Sequence, residues 1–140
     1  MFTIDHLAFP CFDMVGTKRF YTEVLGGRLR HTQSGPAEAW DSKEYKLMVF
    51  ELPGDVVVDF LWFEGIRRQD EGLPKDIRHV ALSVTSREEV NLWKHRLEAA
   101  GESFWIETHG TDDVHVYVTD PNGVTWEIVA AEDGVHSPGS

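Results

Sequence analysis

Tyr117-Val118-Thr119-Asp120-Pro121-Asn122-Gly123-Val124-Thr125-Trp126-Glu127-Ile128-Val129 reads as a strand, a tight turn and a second strand. Pro121 fixes φ near the value that a turn's second position needs. Asn122 or Gly123 accepts a positive φ, and Asp120 can accept hydrogen bonds from the backbone ahead of it. Beyond the turn, Val124, Trp126 and Ile128 alternate with Thr125, Glu127 and Val129, which puts Glu127 on one strand face among largely apolar neighbours. A carboxylate so placed needs a cation.

The same device stands earlier in the chain. Asp59 follows Pro53-Gly54 at the distance at which Glu127 follows Pro121, and His6-Leu7-Ala8-Phe9 matches His79-Val80-Ala81-Leu82. Self-similarity of this kind decides the architecture before any single element does. Residues 3–9 read as a strand with Ile4, His6 and Ala8 on one face. Asp13 caps one amphipathic helix, striped by Phe20, Tyr21, Val24 and Leu25 and stopped at Gly26-Gly27. A short strand over 28–32, a Gly/Pro-containing loop over 33–43, and strands over 44–52 and 56–63 complete the first half. In the second, a strand over 77–84 precedes Ser86-Arg87-Glu88-Glu89, a capping box. The helix it opens carries an apolar stripe of Val90, Trp93, Leu97 and Ala100 and ends at Gly101. Strands over 103–108 and 114–119 lead into the opening stretch.

Both halves therefore read β-α-β-β-β, an α+β fold of two βαβββ modules forming a cleft-shaped, partly closed β-sheet. Expected boundaries are about 1–63 for the first module, 64–76 for a charged connection, 77–130 for the second module and 131–140 for a tail, all within one domain.

A chain of 140 residues is long enough to bury most of its apolar side chains. Cys11 is the only cysteine, so no intrachain disulfide can form, and a reducing, cytoplasmic setting is expected. By strand parity from His6 it points away from the site, as a small apolar residue. No apolar run approaches the roughly 18 residues of a membrane span, and the first residues lack the order of a signal peptide. A net charge of −11 argues against a phosphate-backbone partner. The expected partner is a small-molecule substrate, with neither nucleic acid nor membrane.

If the halves pack about an approximate two-fold axis, His6, Asp59, His79 and Glu127 meet in one cleft. Two imidazoles with one or two carboxylates suit a divalent Fe, Mn, Ni, Co or Zn ion, and the 2-His-1-carboxylate set leaves positions open for substrate. A lone strand histidine is more often a packed or surface residue. The pair at equivalent positions argues otherwise, because two imidazoles and a carboxylate on inward faces would lie buried without partners.

At these residues the chain resembles the vicinal oxygen chelate superfamily of glyoxalase I, extradiol dioxygenases, fosfomycin-resistance enzymes, methylmalonyl-CoA epimerase and bleomycin-binding proteins. Four segments carry the resemblance: Asp5-His6-Leu7-Ala8; Phe20-Tyr21-Thr22-Glu23-Val24-Leu25-Gly26; Arg78-His79-Val80-Ala81-Leu82; and Tyr117 through Gly123 to Glu127. The resemblance implies a metal held by His6, His79 and Glu127. It places Asp59 at a fourth position that glyoxalase I fills with Glu. Asp is one methylene shorter, and two readings stand for it: metal ligand, or general base and partner to a ligand. By the same resemblance Tyr117 donates a hydrogen bond to substrate, and His115, on its face by alternation, serves as acid or base.

A homodimer is also implied. Pro10 stands where glyoxalase I relatives carry an arginine for glutathione, which weakens that assignment. The expected function is a metal-dependent enzyme of glyoxalase or dioxygenase type acting on a small oxygen-bearing substrate by isomerase, lyase or dioxygenase chemistry. The alternative is a non-catalytic binding protein of the bleomycin-binding type, although such proteins generally lack the complete ligand set. His31, His95, His109 and His136 are expected in solvent. Trp93 and Trp126 are expected in the core, and Trp40 and Trp105 are left as candidate substrate contacts.

Overall fold

Alternation in Val56–Phe63 puts Val58 and Phe60 on one face and Asp59 and Leu61 on the other, and the first half is built around this strand. The computed structural model describes residues 1–69, 72–109 and 113–134. The chain divides into two units, Met1–Glu71 and Gly72–Ser140. Each holds one four-stranded mixed sheet, and the fold class is α+β.

In the first unit β1 (Leu7–Pro10) is followed by α1 (Met14–Arg19), β2 (Arg28–Ala37), β3 (Lys43–Leu52) and β4 (Val56–Phe63). The sheet order is β1-β4-β3-β2, with β1 parallel to β4 and the other pairs antiparallel. Asp13 caps α1 by accepting a hydrogen bond from the Gly16 amide at 2.9 Å. The helix does not continue as one regular stripe. Phe20–Val24 forms a π-helical turn, closed by the Leu25 amide donating to the Phe20 carbonyl at 2.9 Å. The wider turn accompanies burial of two consecutive aromatics, Phe20 and Tyr21. Tyr21 lies 4.6 Å from the Phe60 ring and 5.4 Å from Phe50, which makes an aromatic core between helix and sheet.

The second unit repeats this order with β5 (His79–Val84), α2 (Arg87–Ala99), β6 (Phe104–Glu107), β7 (His115–Thr119) and β8 (Thr125–Ala130). Its sheet runs β5-β8-β7-β6, again with the first and last strands parallel. Ser86 accepts from the Glu89 amide at 3.2 Å, while the Glu89 carboxylate accepts from the Thr85 amide at 3.0 Å and its hydroxyl at 2.8 Å. These bonds hold the Glu89 carboxyl below the usual carboxylate range. Val90 and Leu97 of α2 are buried, as are Trp126, Ile128, Val116 and Val118 of the facing strands. The turn at 120–123 folds as its residues require. Asp120 accepts from the amides of Asn122 and Val124, both at 2.8 Å, and the positive φ of 88° falls on Gly123.

Two expectations are corrected. Residues 33–37 are not loop: β2 runs through them, with Gly35 opposite Tyr45 and Pro36 opposite Glu44. Proline is tolerated because β2 is a sheet edge. A Cβ on Gly35 would lie 3.0 Å from the Tyr45 ring, so glycine gives that ring its room. The first strand is also shorter than 3–9, and His6 immediately precedes it. Pairing with β4 begins at Leu7, opposite Val58; β4 itself starts at Val56, level with Asp5, so residues 1–4 lie beyond its start, and Phe2 and Ile4 are exposed.

Gly27 sits where the π turn meets β3. A Cβ there would lie 2.8 Å from both the Tyr21 and the Glu51 carbonyl oxygens. Gly27→Ala is expected to destabilise the protein by about 1–3 kcal/mol, read as a lowered urea midpoint with an unchanged m-value.

Candidate functional site

Register places the site residues. In the first unit Ala8 of β1 and Val49 of β3 flank Asp59 on β4. In the second, Ala81 of β5 and Tyr117 of β7 flank Glu127 on β8. Each carboxylate thus stands beside the alanine that follows the histidine by two residues. His6 Nε2 lies 3.7 Å from Asp59 Oδ2, and His79 Nε2 lies 3.2 Å from Glu127 Oε1.

Both imidazoles are held the same way from behind. His6 Nδ1 is 2.8 Å from the Asp5 carboxylate and His79 Nδ1 is 2.7 Å from the Asp76 carbonyl. Those oxygens only accept, so each Nδ1 carries the proton and, in the neutral ring, Nε2 presents a lone pair toward the site carboxylate. The hydrogen bond to Asp5, with the charge of Asp59, raises the His6 pKa above its ordinary value.

The two carboxylates differ in their support. Glu127 is buried, 8% exposed, and its Oε2 lies 2.8 Å from Nδ1 of His115. The other nitrogen of His115 lies 3.3 Å from the Asp113 carboxylate. The Tyr117 phenol also hydrogen-bonds Glu127. Its ring stacks on Trp105 with centroids 5.1 Å apart and planes 8° from parallel, and Trp105 donates to Glu107 at 3.0 Å. Burial, then the hydrogen bond to Glu127 and the nearby negative charges, push the Tyr117 pKa well above that of an ordinary phenol. At the equivalent positions Asp59 meets Val49 and Leu47, neither of which can bond it. Its side chain is 18% exposed.

Of the residues singled out in the sequence, the first unit brings together His6 and Asp59, and the second His79, Glu127, His115 and Tyr117. Asp113 was missed, although its spacing from His115 and Tyr117 puts all three on one strand face. Trp105 supports Tyr117, and Trp40 packs edge-on against Tyr45 at 4.6 Å. Trp126 is fully buried, as is Cys11, whose thiol lies 3.5 Å from the Thr17 hydroxyl. His31 and His95 are exposed, His109 is exposed with its ring 4.4 Å from His115, and His136 lies outside the described residues.

Residues 3–128 match the family described as the Glyoxalase/Bleomycin resistance protein/Dioxygenase superfamily. The chain belongs to this superfamily. Among solved structures similar to it is a glyoxylase/bleomycin resistance protein/dioxygenase domain from Frankia sp. EAN1pec, with 18% identity and a TM-score of 0.70, covering 93% of this chain and 98% of that one. The fosfomycin resistance protein FosX from Listeria monocytogenes aligns at 16% identity and TM-score 0.64 over 92% of this chain and 93% of its own. Lactoylglutathione lyase from Agrobacterium tumefaciens aligns at 19% and 0.65 over 93% and 94%. These likenesses establish the fold. A FosX variant with one glutamate replaced by glutamine, 15% identical with TM-score 0.63 over 92% of each chain, was solved with Mn(II) and 1S,2S-dihydroxypropylphosphonic acid. No curated protein matches the sequence.

Superfamily members bind divalent metals, and the residues here can be tested for fit. Among the described residues, no group of three or more His, Cys, Asp or Glu side chains is placed to hold a metal ion. The two pairs nevertheless have the right chemistry. Ligands at about 2.0–2.2 Å on neighbouring coordination positions stand about 3.0–3.5 Å from each other. His79 and Glu127, at 3.2 Å, fall within that span, and His6 and Asp59, at 3.7 Å, lie just beyond it. The donor set fits.

A raised phenol pKa stabilises the fold below the unfolded-state value of about 10, and that contribution is lost as pH rises above it, because the unfolded chain then releases the proton first. Tyr117→Phe is therefore expected to flatten the loss of stability above pH 10. Urea midpoints of parent and variant across pH 8–11 check this, and parallel curves would contradict it.

Proposed function

We propose that the protein is a divalent-metal-dependent enzyme of the vicinal oxygen chelate type, acting on a small oxygen-bearing substrate by moving a proton, as isomerases and lyases do. The observation that carries this reading is the matched pair of imidazoles, each anchored through Nδ1 with Nε2 facing a carboxylate. His6, His79 and Glu127 would hold an Fe(II), Mn(II), Ni(II), Co(II) or Zn(II) ion, with Asp59 beside them. Once bound, the metal supplies Lewis-acid stabilisation of charge developing on two neighbouring substrate oxygens.

The difference in support divides the work of the two carboxylates. Glu127 has Oε2 fixed by His115 and its position fixed again by Tyr117, which leaves Oε1 as the donor on the His79 side. His115, between Glu127 and Asp113, acts as a positioning residue. Among the described residues Asp59 has only His6 within salt-bridge distance, and its sheet neighbours are apolar, so it can turn toward a substrate carbon and carry its proton. Tyr117, kept protonated, donates its one phenolic proton to Glu127 and acts as a second positioning residue.

Calorimetric titration of metal-free protein with Mn(II) tests this division. His79→Ala and Glu127→Gln are expected to lose measurable binding with the circular dichroism spectrum intact. His115→Gln should weaken binding by about 10–100-fold, while Asp59→Asn should stay within about tenfold of the parent. Undiminished affinity in His79→Ala would overturn the ligand assignment. Turnover tested by hemithioacetal isomerisation and by O₂ uptake with catechols should fall by about 10²–10⁴ in Asp59→Asn.

A further inference from the structure

The first unit contains a cavity of about 510 Å³ lined by Pro10, Trp40, Leu61, Phe63 and Ile66, with Ala39, Asp41 and Lys43 completing it. That volume lies in the range of sites that bury a drug-sized organic molecule, well beyond the needs of a three-carbon substrate. Six of the eight lining residues are apolar or aromatic. The two charged ones, Asp41 and Lys43, carry opposite signs and leave no net field to select a charged ligand. Lys43 stands 5.7 Å over the Phe63 ring, where its stem adds to the apolar wall.

The position of the cavity relates it to the chemistry. Asp59, Leu61 and Phe63 succeed one another on a single face of β4, and Pro10 of β1 pairs with Leu61 as Ala8 pairs with Asp59. Successive residues on one face of a strand are about 6.6 Å apart. A molecule with its reacting oxygens near His6 and Asp59 would therefore lay the remainder of its body along Leu61 and Phe63.

The far wall is a built feature. Asp41 and Ser42 both take left-handed backbone conformations, φ 55° and 57°, in the turn between the short helix Glu38–Trp40 and β3. Two consecutive non-glycine residues there are strained, and the turn holds Trp40, itself 38% exposed, edge-on against Tyr45.

We propose that this cavity is the specificity pocket for an aromatic ring carried by the substrate, with Trp40, Leu61 and Phe63 as the residues that select it. This deepens the enzyme reading above: it names the substrate class as aryl-bearing and oxygen-rich at one end. Ring recognition rests on apolar and edge-to-face contact.

The test uses metal-free full-length protein and two probes, 2-naphthol and propane-1,2-diol, by calorimetric titration. The parent is expected to bind 2-naphthol at least tenfold more tightly than the diol. Ala39→Trp, which fills the cavity from an exposed position, and Trp40→Ala, which removes one wall, should each weaken 2-naphthol binding at least fivefold. Mn(II) affinity should stay within twofold in both variants. Equal binding of the two probes by the parent, or unchanged 2-naphthol binding in both variants, would overturn the pocket assignment. If Mn(II) fails to bind while 2-naphthol binds the parent and is lost from the variants, the pocket stands and the metal reading falls.

Discussion

A carboxylate buried to 8% exposure has to be paired, and Glu127 is paired three times, by His115, Tyr117 and His79. These partners come from the two strands that flank β8, and none could be delivered if the sheet slipped by one residue. A slip would turn Glu127 toward α2, into the layer occupied by Trp126, and would expose Trp126 instead. The Asp120 turn prevents the slip. Its two amide bonds, to Asn122 and Val124, fix where β7 ends and β8 begins, and so fix Tyr117 opposite Glu127. The chemistry of the second unit follows from that register.

The first unit has the same frame with less on it. Asp59 occupies the register position of Glu127, and Ala8 that of Ala81, while Val49 and Leu47 stand in place of Tyr117 and His115. Duplication supplies two equivalent strand frames, and the residues at two positions give Glu127 hydrogen-bonding partners where Asp59 has Val49 and Leu47. A base that exchanges protons needs freedom that a ligand does not. On the proposed reading, the apolar neighbours of Asp59 allow the two roles to differ.

Much of this is legible in residues whose local pattern matches their final environment. The Asp120 turn, the Ser86 cap, and the placing of His79, Glu127 and Tyr117 on strand faces all follow from alternation or from turn and cap chemistry, which act over a few residues. The extent of β2 is not legible, because Gly35 and Pro36 signal a loop unless the strand is known to be an edge with Tyr45 opposite. His6 reads as a strand residue because its alternation is sound, but β1 pairs with β4 only from Leu7 onward. The clamp on Glu127 requires knowing that Asp113, His115 and Glu127 meet across two strands. The pattern Asp113, His115, Tyr117 is there to be read as one polar strand face. The π turn at Phe20–Val24 leaves no sequence signal, since its residues also suit a regular helix.

The central proposal is that the two histidines at equivalent positions of the repeat, His6 and His79, serve one metal. X-ray absorption at the metal edge of protein loaded with one equivalent of Ni(II) counts the imidazoles directly. Two imidazole nitrogens per metal at about 2.0–2.1 Å are predicted for the parent, fewer than two for His6→Ala, and none for His79→Ala, which is expected to leave the ion in solution. A parent spectrum with one imidazole or none, or one unchanged by either substitution, would contradict the account.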